Sequence, residues 1–258
     1  MSLLKWLAVT ILPGSVLFFL KRIYYTRTIQ TFWEPDIEPI KRLVKPGDVA
    51  IDLGANIGWY SHVLAKLVGV DGRVYSIEPI PDTFRLLSAV ASARGLKNVE
   101  LLNVAVSDND GFAVMEIPLH EYGGKNFYMA KIVSNSQASG SANRRYTVAV
   151  RSMDSMFQDV ATRVSFIKCD VEGHELAAFK GGEKFFETQK PAIMLEVAGQ
   201  FEKQGSSAQE VYGILKRYGY KAFIYDGKHL KERPAGHWSV NYFCLQPSHL
   251  NHLAVMVA

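Results

Sequence analysis

Short apolar runs and amphipathic stretches alternate along most of this chain, with turn residues between them. Apolar runs that stop abruptly at polar or turn residues are typical of buried strands, and the longer amphipathic stretches are typical of helices. The strand patterns lie at residues 48–52, 73–78, 99–106, 164–170 and 192–197. Strands that alternate with helices through short turns predict a parallel sheet wound in the right-handed sense.

Helical patterns occupy the stretches between these strands. They follow Gly58, run from Pro81 to Ala93, and then cover Met153–Val160, Glu175–Glu187 and Ala208–Tyr218. A shorter one ends at Val44. Two more strand patterns, YKAFIYDGKHL and SVNYFCLQ, close the chain. The first contains an Asp-Gly turn, so they predict an antiparallel edge of the sheet.

Residues 107–150 interrupt this alternation of strands and helices. Strand-like pieces, FAVMEI and YTVAV, flank a polar stretch, SNSQASGSANRR, that carries too little apolar surface to order itself alone. A long polar insertion beside a ligand crevice is either a lid over the substrate or a mobile surface loop. We expect a β-rich insertion that acts as a lid.

The chain begins with an apolar stretch of borderline length for a membrane span. MSLLKWLAVTILPGSVLFFL is followed by the basic and aromatic segment KRIYYTR, and Pro13-Gly14 would kink or split a helix there. We therefore expect residues 1–33 to form an apolar helical arm. Residues 1–27 either anchor the protein at a membrane surface or pack on the domain or on a partner subunit.

Charge and cysteine content limit the partners and the compartment that are expected for this protein. The net charge is +4, but residues 1–33 carry four basic side chains and no acid, so the remainder is balanced at 25 against 25. A groove for nucleic acid would need clustered cations on the domain, so no nucleic-acid partner is expected. Cys169 and Cys244 both lie in predicted buried strands, which suits a reducing compartment. A cytoplasmic protein, at the cytoplasmic face of a membrane if the arm anchors it, is expected, with residues 34–258 as one domain.

The segment DVAIDLGANIG predicts a strand, a tight turn and a helix start around a nucleotide-type ligand. A dinucleotide needs G-x-G-x-x-G, yet Asn56 and Trp59 occupy the second and third glycine positions, so an NAD-dependent oxidoreductase is a weak alternative. S-adenosylmethionine suits the turn better. Asp52 could attract its amino group, the Gly54–Gly58 backbone could line its amino-acid tail, and Glu78 could accept its ribose hydroxyls.

Five separated motifs, DLGANIGWY, VYSIEP, NVAVSD, FIKCDVEGHELAAFKGG and PAIMLEV, together resemble the FkbM-type methyltransferase family over residues 34–200. The resemblance implies a Rossmann-like, doubly wound, mostly parallel sheet of seven strands. It implies O-methylation of a hydroxyl, often on a sugar, glycolipid or polyketide, with S-adenosylmethionine as cofactor. It also implies that Asn56, Tyr60, Glu78 and Asn103 to Ala105 line the cofactor pocket.

A second candidate site is CDVEGHE, which follows the fourth strand pattern. Asp170, Glu172 and His174 are the candidates to position the acceptor and take its proton, because ligands of open α/β sheets bind beyond the carboxyl ends of the strands. Glu175 is expected to begin the following helix. The pattern does not decide whether Lys168 points into the site.

Two alternatives use the same residues. Asp170, Glu172 and Glu196 could supply oxygen ligands to Mg²⁺, although charge balance with a cationic cofactor explains the carboxylates without a metal. A non-catalytic, membrane-tethered scaffold that only binds the cofactor is the other alternative. The sequence favours an enzyme acting on a small-molecule, sugar or lipid-linked acceptor, and it does not reveal the oligomeric state.

Overall fold

The structure is a computed structural model that describes residues 12–117, 131–133, 144–160 and 163–256. Its strands, in chain order, are β1 (Val49–Leu53), β2 (Arg73–Ile77), β3 (Val99–Leu102), β4 (Ala105–Val106), β5 (Gly111–Ile117), β6 (Lys131–Val133), β7 (Arg144–Arg151), β8 (Val164–Cys169), β9 (Ala192–Glu196), β10 (Lys221–Tyr225), β11 (Leu230–Glu232) and β12 (Asn241–Leu245). Its α-helices are α1 (Gly14–Thr28), α2 (Ile37–Leu43), α3 (Trp59–Val68), α4 (Pro81–Ala93), α5 (Met153–Met156), α6 (Glu175–Lys180), α7 (Glu183–Gln189), α8 (Ser207–Arg217) and α9 (Pro247–Leu250).

The main sheet has the strand order β11-β10-β12-β9-β8-β1-β2-β3. The five strands from β9 to β3 are mutually parallel, and β12, β10 and β11 continue the sheet as antiparallel strands. The predicted doubly wound sheet with an antiparallel C-terminal edge is therefore confirmed. The sheet has eight strands rather than seven, because the chain after the Asp226-Gly227 turn returns as the three-residue strand β11.

A second, smaller sheet has the order β4-β7-β5-β6. The single strand predicted for residues 99–106 is in fact two strands, because β3 stays in the main sheet whereas β4 pairs with β7. Within the 107–150 insertion, β5 and β7 pair antiparallel along their length. Most of its polar stretch, residues 134–143, lies outside the described residues.

Two helix predictions differ from the structure. The predicted helix Met153–Val160 ends at Met156, and the predicted helix Glu175–Glu187 is divided into α6 and α7 at Gly181-Gly182. Glycine is required at residue 181, because a Cβ atom there would overlap the carbonyl oxygen of Ser107. The chain that links β4 to β5 thus lies directly against the backbone between α6 and α7.

Helix α1 packs on the domain. Phe18 and Tyr25 pack against a buried cluster that includes Ile57 and Leu86, and the Arg85 guanidinium lies 4.2 Å from the centre of the Phe18 ring. The described part of the arm thus has a face on the domain, as one of the two alternatives predicts. Within the described residues, no helix has the length and apolar character that a membrane crossing requires. Residues 1–11 lie outside the described residues.

We predict that Gly181→Ala lowers the free energy of unfolding by about 1–3 kcal/mol, because the new methyl group would collide with backbone rather than with a side chain that can move. The measurement is urea denaturation followed by circular dichroism.

Gly213→Ala is the matched control. Gly213 lies inside α8 with nothing within 4 Å of a Cβ atom, so this change should stabilise the protein by about 0.5–1 kcal/mol. Equal behaviour of the two variants would contradict the steric explanation.

Candidate active site

A cavity of about 380 Å³ lies at the carboxyl ends of β1, β2 and β8, and the small sheet closes one side of it. This size suits a small-molecule ligand. Seven residues singled out from the sequence line it: Gly54, Asn56, Glu78, Ala105, Asp170, Glu172 and His174. The cavity thus brings the glycine turn and the CDVEGHE segment, more than a hundred residues apart in the chain, to one place.

The turn after β1 is held by backbone contacts. Gly54 N–H and Ala55 N–H both donate to the carbonyl oxygen of Ile77, at 3.0 and 2.9 Å. Gly54 has a φ of +78°, and a Cβ atom there would overlap the carbonyl oxygen of Asp170. Asn56 is also left-handed, with a φ of +50°, a conformation that asparagine tolerates better than most residues. Its side chain stands where a dinucleotide fingerprint needs a bare glycine.

Glu78 lies at the end of β2 with its carboxylate fixed by two backbone donors. Asn56 N–H donates to Oε2 at 3.0 Å, and Ile80 N–H donates to Oε1 at 2.9 Å. Burial raises the pKa of Glu78 to about 7, against the lowering effect of these two hydrogen bonds. Asn103 supports the segment after β2, because its Nδ2 donates to the carbonyl oxygens of Glu78 and Pro79 at 2.7 and 3.0 Å.

Asn103 itself does not line the cavity, and neither do three other predicted cofactor residues. Asp52 is 1% exposed, and its carboxylate accepts from Ser61 Oγ at 2.6 Å. Tyr60 donates its hydroxyl to Glu34 at 2.6 Å. Gly58 precedes α3 at a φ of +96°, where a Cβ atom would clash with a side chain of α4. These residues therefore lie near the site but outside the set that lines the cavity.

Asp170 follows β8 and forms one side of the cavity. Its Oδ2 lies 2.6 Å from Nζ of Lys168, and the Lys168 side chain is 5% exposed. The question that the sequence left open is therefore decided: Lys168 turns toward Asp170 beneath the surface rather than into solvent. Asp170 Oδ1 has no hydrogen-bond donor within the part of the chain that the structure describes.

Glu172 and His174 complete this side of the cavity. Partial burial and the neighbouring charge of Asp170 raise the pKa of Glu172 to about 7. His174 lies just before α6, and its Nε2 is 3.0 Å from Ser107 Oγ. Burial lowers the pKa of His174, so its imidazole is neutral at physiological pH and can accept a proton. Glu175 begins α6 as predicted.

The geometry does not assemble the magnesium site considered from the sequence. Glu196 ends β9 and lies outside the cavity wall. Among residues 12–117, 131–133, 144–160 and 163–256, no three His, Cys, Asp or Glu side chains come close enough together to hold a metal ion.

Sequence reasoning missed the apolar half of the cavity wall. The residues missed are Ile77, Pro79, Ile80, Thr83, Val106, Met115 and Val171, whereas Val104 lies in the predicted Asn103 to Ala105 segment. Ile77 ends β2, so its position at the end of a parallel strand could have identified it from the sequence. Met115 offered no such signal, because its strand belongs to the small sheet.

An open, mostly parallel sheet with an acidic residue after β2 and a glycine turn after β1 defines a class of α/β domains that bind nucleotide-type cofactors. A family profile described as "Methyltransferase FkbM domain" matches residues 52–222. The chain belongs to this FkbM methyltransferase family, whose members depend on S-adenosylmethionine.

The curated proteins that the chain resembles match it at low identity or over short stretches. Over 59 residues the chain is 36% identical to protein-L-isoaspartate O-methyltransferase 2 of Archaeoglobus fulgidus, covering 23% of this chain and 27% of that protein. It is 25% identical over 178 residues to ribosomal RNA large subunit methyltransferase E of Marinobacter nauticus, covering 69% of this chain and 78% of that protein. The chain spans only 27% and 35% of the length of two of the curated relatives it matches.

Solved structures similar to this chain include the methyltransferase FkbM of Methylobacillus flagellatus, with 18% identity and a TM-score of 0.49 over 82% of this chain and 50% of that chain. Fibrillarin of Aeropyrum pernix, solved with bound S-adenosyl-L-methionine, has 13% identity and a TM-score of 0.45 over 79% of this chain and 68% of that chain.

Proposed function

We propose that this protein transfers a methyl group from S-adenosylmethionine to a hydroxyl group of a carbohydrate, glycolipid or related acceptor. The observation that carries the proposal is that one cavity is lined by two chemically different groups of residues. The first group is Gly54, Asn56 and Glu78, and the second is Asp170, Glu172 and His174. The first group suits a nucleoside with an amino-acid tail, and the second suits a group that must lose a proton.

The residues present fit S-adenosylmethionine. Glu78 presents a carboxylate, already held in place by two amides, that can accept hydrogen bonds from both ribose hydroxyls. Gly54 lines the cavity, so its backbone could contact the amino-acid tail. Ile80 and Met115 supply apolar wall for the adenine ring.

When bound, the cofactor supplies an electrophilic methyl group: the acceptor oxygen bonds to the methyl carbon as the carbon–sulfur bond breaks, and that electron pair remains on sulfur. Asp170 accepts the hydroxyl proton on Oδ1 and later releases it to water. Glu172 and neutral His174 hydrogen-bond the acceptor beside it. Holding the two reactants in register is worth up to about 7–11 kcal/mol, and a placed base adds about 10²- to 10⁴-fold.

A carbohydrate acceptor is supported by two exposed indoles at the same edge of the sheet. Trp33 and Trp238 are 60% and 57% exposed. Their segments are joined by a hydrogen bond from Asn241 Nδ2 to Asp36 Oδ2 at 2.7 Å, and Asn241 pairs with Glu196 at the carboxyl end of β9. Indole faces pack well against the apolar faces of sugar rings, and the nearby carboxylates can accept hydrogen bonds from sugar hydroxyls.

We further propose that α1 rests on a membrane surface at the cytoplasmic side. Its face away from the domain exposes Phe19, Leu20 and Tyr24. Lys21 and Arg22 are exposed beside them. Apolar and aromatic side chains bordered by cations suit the interface of an anionic leaflet. Free, fully buried Cys169 and Cys244 are compatible with a reducing compartment. The small sheet is proposed to cover the acceptor as a lid.

We predict that S-adenosylhomocysteine binds wild-type protein more tightly as pH rises from about 6 to about 8, because ribose hydroxyls donate to the ionised form of Glu78. Below pH 7, affinity should fall by up to about tenfold per pH unit. Glu78→Gln should bind weakly with a flat pH profile. Calorimetry measures both.

Asp170→Asn is the matched control for that experiment. It should keep the affinity of the wild type at pH 8, where Glu78 is ionised, yet lose transfer of labelled methyl groups to a cell extract. Equal loss of binding in both variants would show that the acceptor side is misplaced. Tight NAD binding without S-adenosylhomocysteine binding would refute the assigned cofactor, and cofactor binding without transfer would favour the scaffold alternative.

We predict that Trp33→Ala and Trp238→Ala each reduce methyl transfer to extract glycans by about tenfold, with S-adenosylhomocysteine affinity unchanged, since each removes an aromatic packing surface. Phe112→Ala is the control, because Phe112 is 81% exposed on the small sheet. Mass spectrometry of the product should place the label on a sugar oxygen. Label on protein or RNA would reject the carbohydrate acceptor.

We predict that replacing Phe19, Leu20 and Tyr24 together by Ser abolishes co-sedimentation with vesicles that contain anionic phospholipid, and that thermal stability stays unchanged, because these side chains do not pack on the domain. Val255→Ser, at an exposed apolar position outside α1, is the control. Wild-type protein that remains in the supernatant with such vesicles would refute the membrane proposal.

A further inference from the structure

Lys168 is a buried cation that the proposed chemistry has not yet used. It is the penultimate residue of β8 and is 4% exposed. It does not line the cavity, so it cannot contact a ligand there. Burying an ammonium group in a protein interior is costly unless close partners compensate for the lost water.

The register of the sheet places three carboxylates on the same face as this ammonium. Lys168 pairs with Asp52 of β1 and with Met194 of β9. Side chains two residues apart on a strand point to the same face, so Asp170 and Glu196 lie on that face as well. Lys168 is therefore surrounded at the carboxyl end of the sheet by acidic side chains from three strands or their ends.

The contacts hold the ammonium in one position. Nζ of Lys168 lies 2.6 Å from Asp170 Oδ2 and 5.3 Å from the centre of the Tyr60 ring. The Tyr60 ring is fixed in turn, because its hydroxyl donates to Glu34 at 2.6 Å. One oxygen of Asp170 is thus occupied by Lys168, and Asp170 itself lines the cavity.

The electrostatics agree with this arrangement. Burial raises the pKa of Asp52, Glu196 and Glu172, and the positive charge of Lys168 lowers the pKa of each. Burial also acts to lower the pKa of Lys168, but the charges of Asp170 and Asp52 outweigh it and raise that pKa. Lys168 therefore remains cationic and is the common counter-charge of the group.

We propose that Lys168 is a positioning residue for methyl transfer, whose ammonium fixes the orientation of the Asp170 carboxylate so that Oδ1 can accept the acceptor's proton. This proposal rests on the proposed function. The other groups that face the pair are Asp52 from β1, Glu196 from β9, Glu172 and Glu175 from the chain around α6, and Tyr60 from α3. Without the ammonium, neighbouring carboxylates would share protons instead of ionising fully.

The test compares Lys168→Met with Lys168→Arg. In Lys168→Met, affinity for S-adenosylhomocysteine should be unchanged. Methyl transfer to extract at neutral pH should fall at least about tenfold, and the acidic limb of its pH profile should move up by about one to three units. Lys168→Arg should restore the limb toward the wild-type position, because it keeps the charge.

A second measurement does not need an acceptor. In protein labelled with ¹³C at its carboxyl groups, the Asp170 signal is identified by its loss in Asp170→Asn, and its titration midpoint should rise in Lys168→Met. If Lys168→Met does not fold, Lys168→Met combined with Asp52→Asn removes one buried charge of each sign and should show the same shifts.

Unchanged pH profiles and carboxyl titrations in a folded variant without the ammonium would overturn the proposal and leave Lys168 a structural role. If wild-type protein binds S-adenosylhomocysteine but transfers no methyl group, the proposed function fails, and the carboxyl titration still decides the role of Lys168.

Discussion

The backbone after β1 lies directly against the backbone after β8, and the arrangement of the site depends on this contact. Asp170 N–H donates to the carbonyl oxygen of Leu53 at 3.0 Å, and the next residue, Gly54, leaves no space for a Cβ atom beside Asp170. Backbone contacts rather than flexible side chains therefore fix the glycine turn and the Asp170 segment relative to each other. Proposed donor and acceptor groups are held on a rigid frame, which favours reaction by positioning.

Charge adds a second constraint. Asp52, Glu78 and Glu175 are almost fully buried close to the cavity, and burial raises the pKa of each. Such groups stay in the interior only with hydrogen-bond donors or counter-charge nearby. Backbone amides serve Glu78 and Glu175, whereas Asp52 depends on Ser61 and on the charge of Lys168. A cationic ligand in the cavity would relieve the remaining repulsion between these carboxylates.

The fold could be predicted from local patterns because the parallel strands are buried, apolar and bounded by turns. The sequence also located Gly54, Glu78 and Asp170, since residues at the ends of neighbouring parallel strands meet at one edge of the sheet. Long-range contacts explain the failures. Strand β4 pairs with β7 and not with the main sheet. Ser107 lies against Gly181, where α6 and α7 divide. The Tyr60 hydroxyl donates to Glu34, a partner outside its own motif. None of these contacts leaves a periodic signal.

The small sheet is fastened to the main domain by a contact between residues far apart in the chain. Tyr146 donates its hydroxyl to Asp82, in the first turn of α4, at 2.7 Å. Ile80 beside that turn packs in one apolar cluster with Met115 and Val148 of the small sheet. Met115 lines the cavity, so the wall that the small sheet contributes is held in place by contacts with α4 and the residues just before it. A chain whose insertion did not pack on α4 would keep the glycine turn and Glu78 but would lose one wall of the cavity.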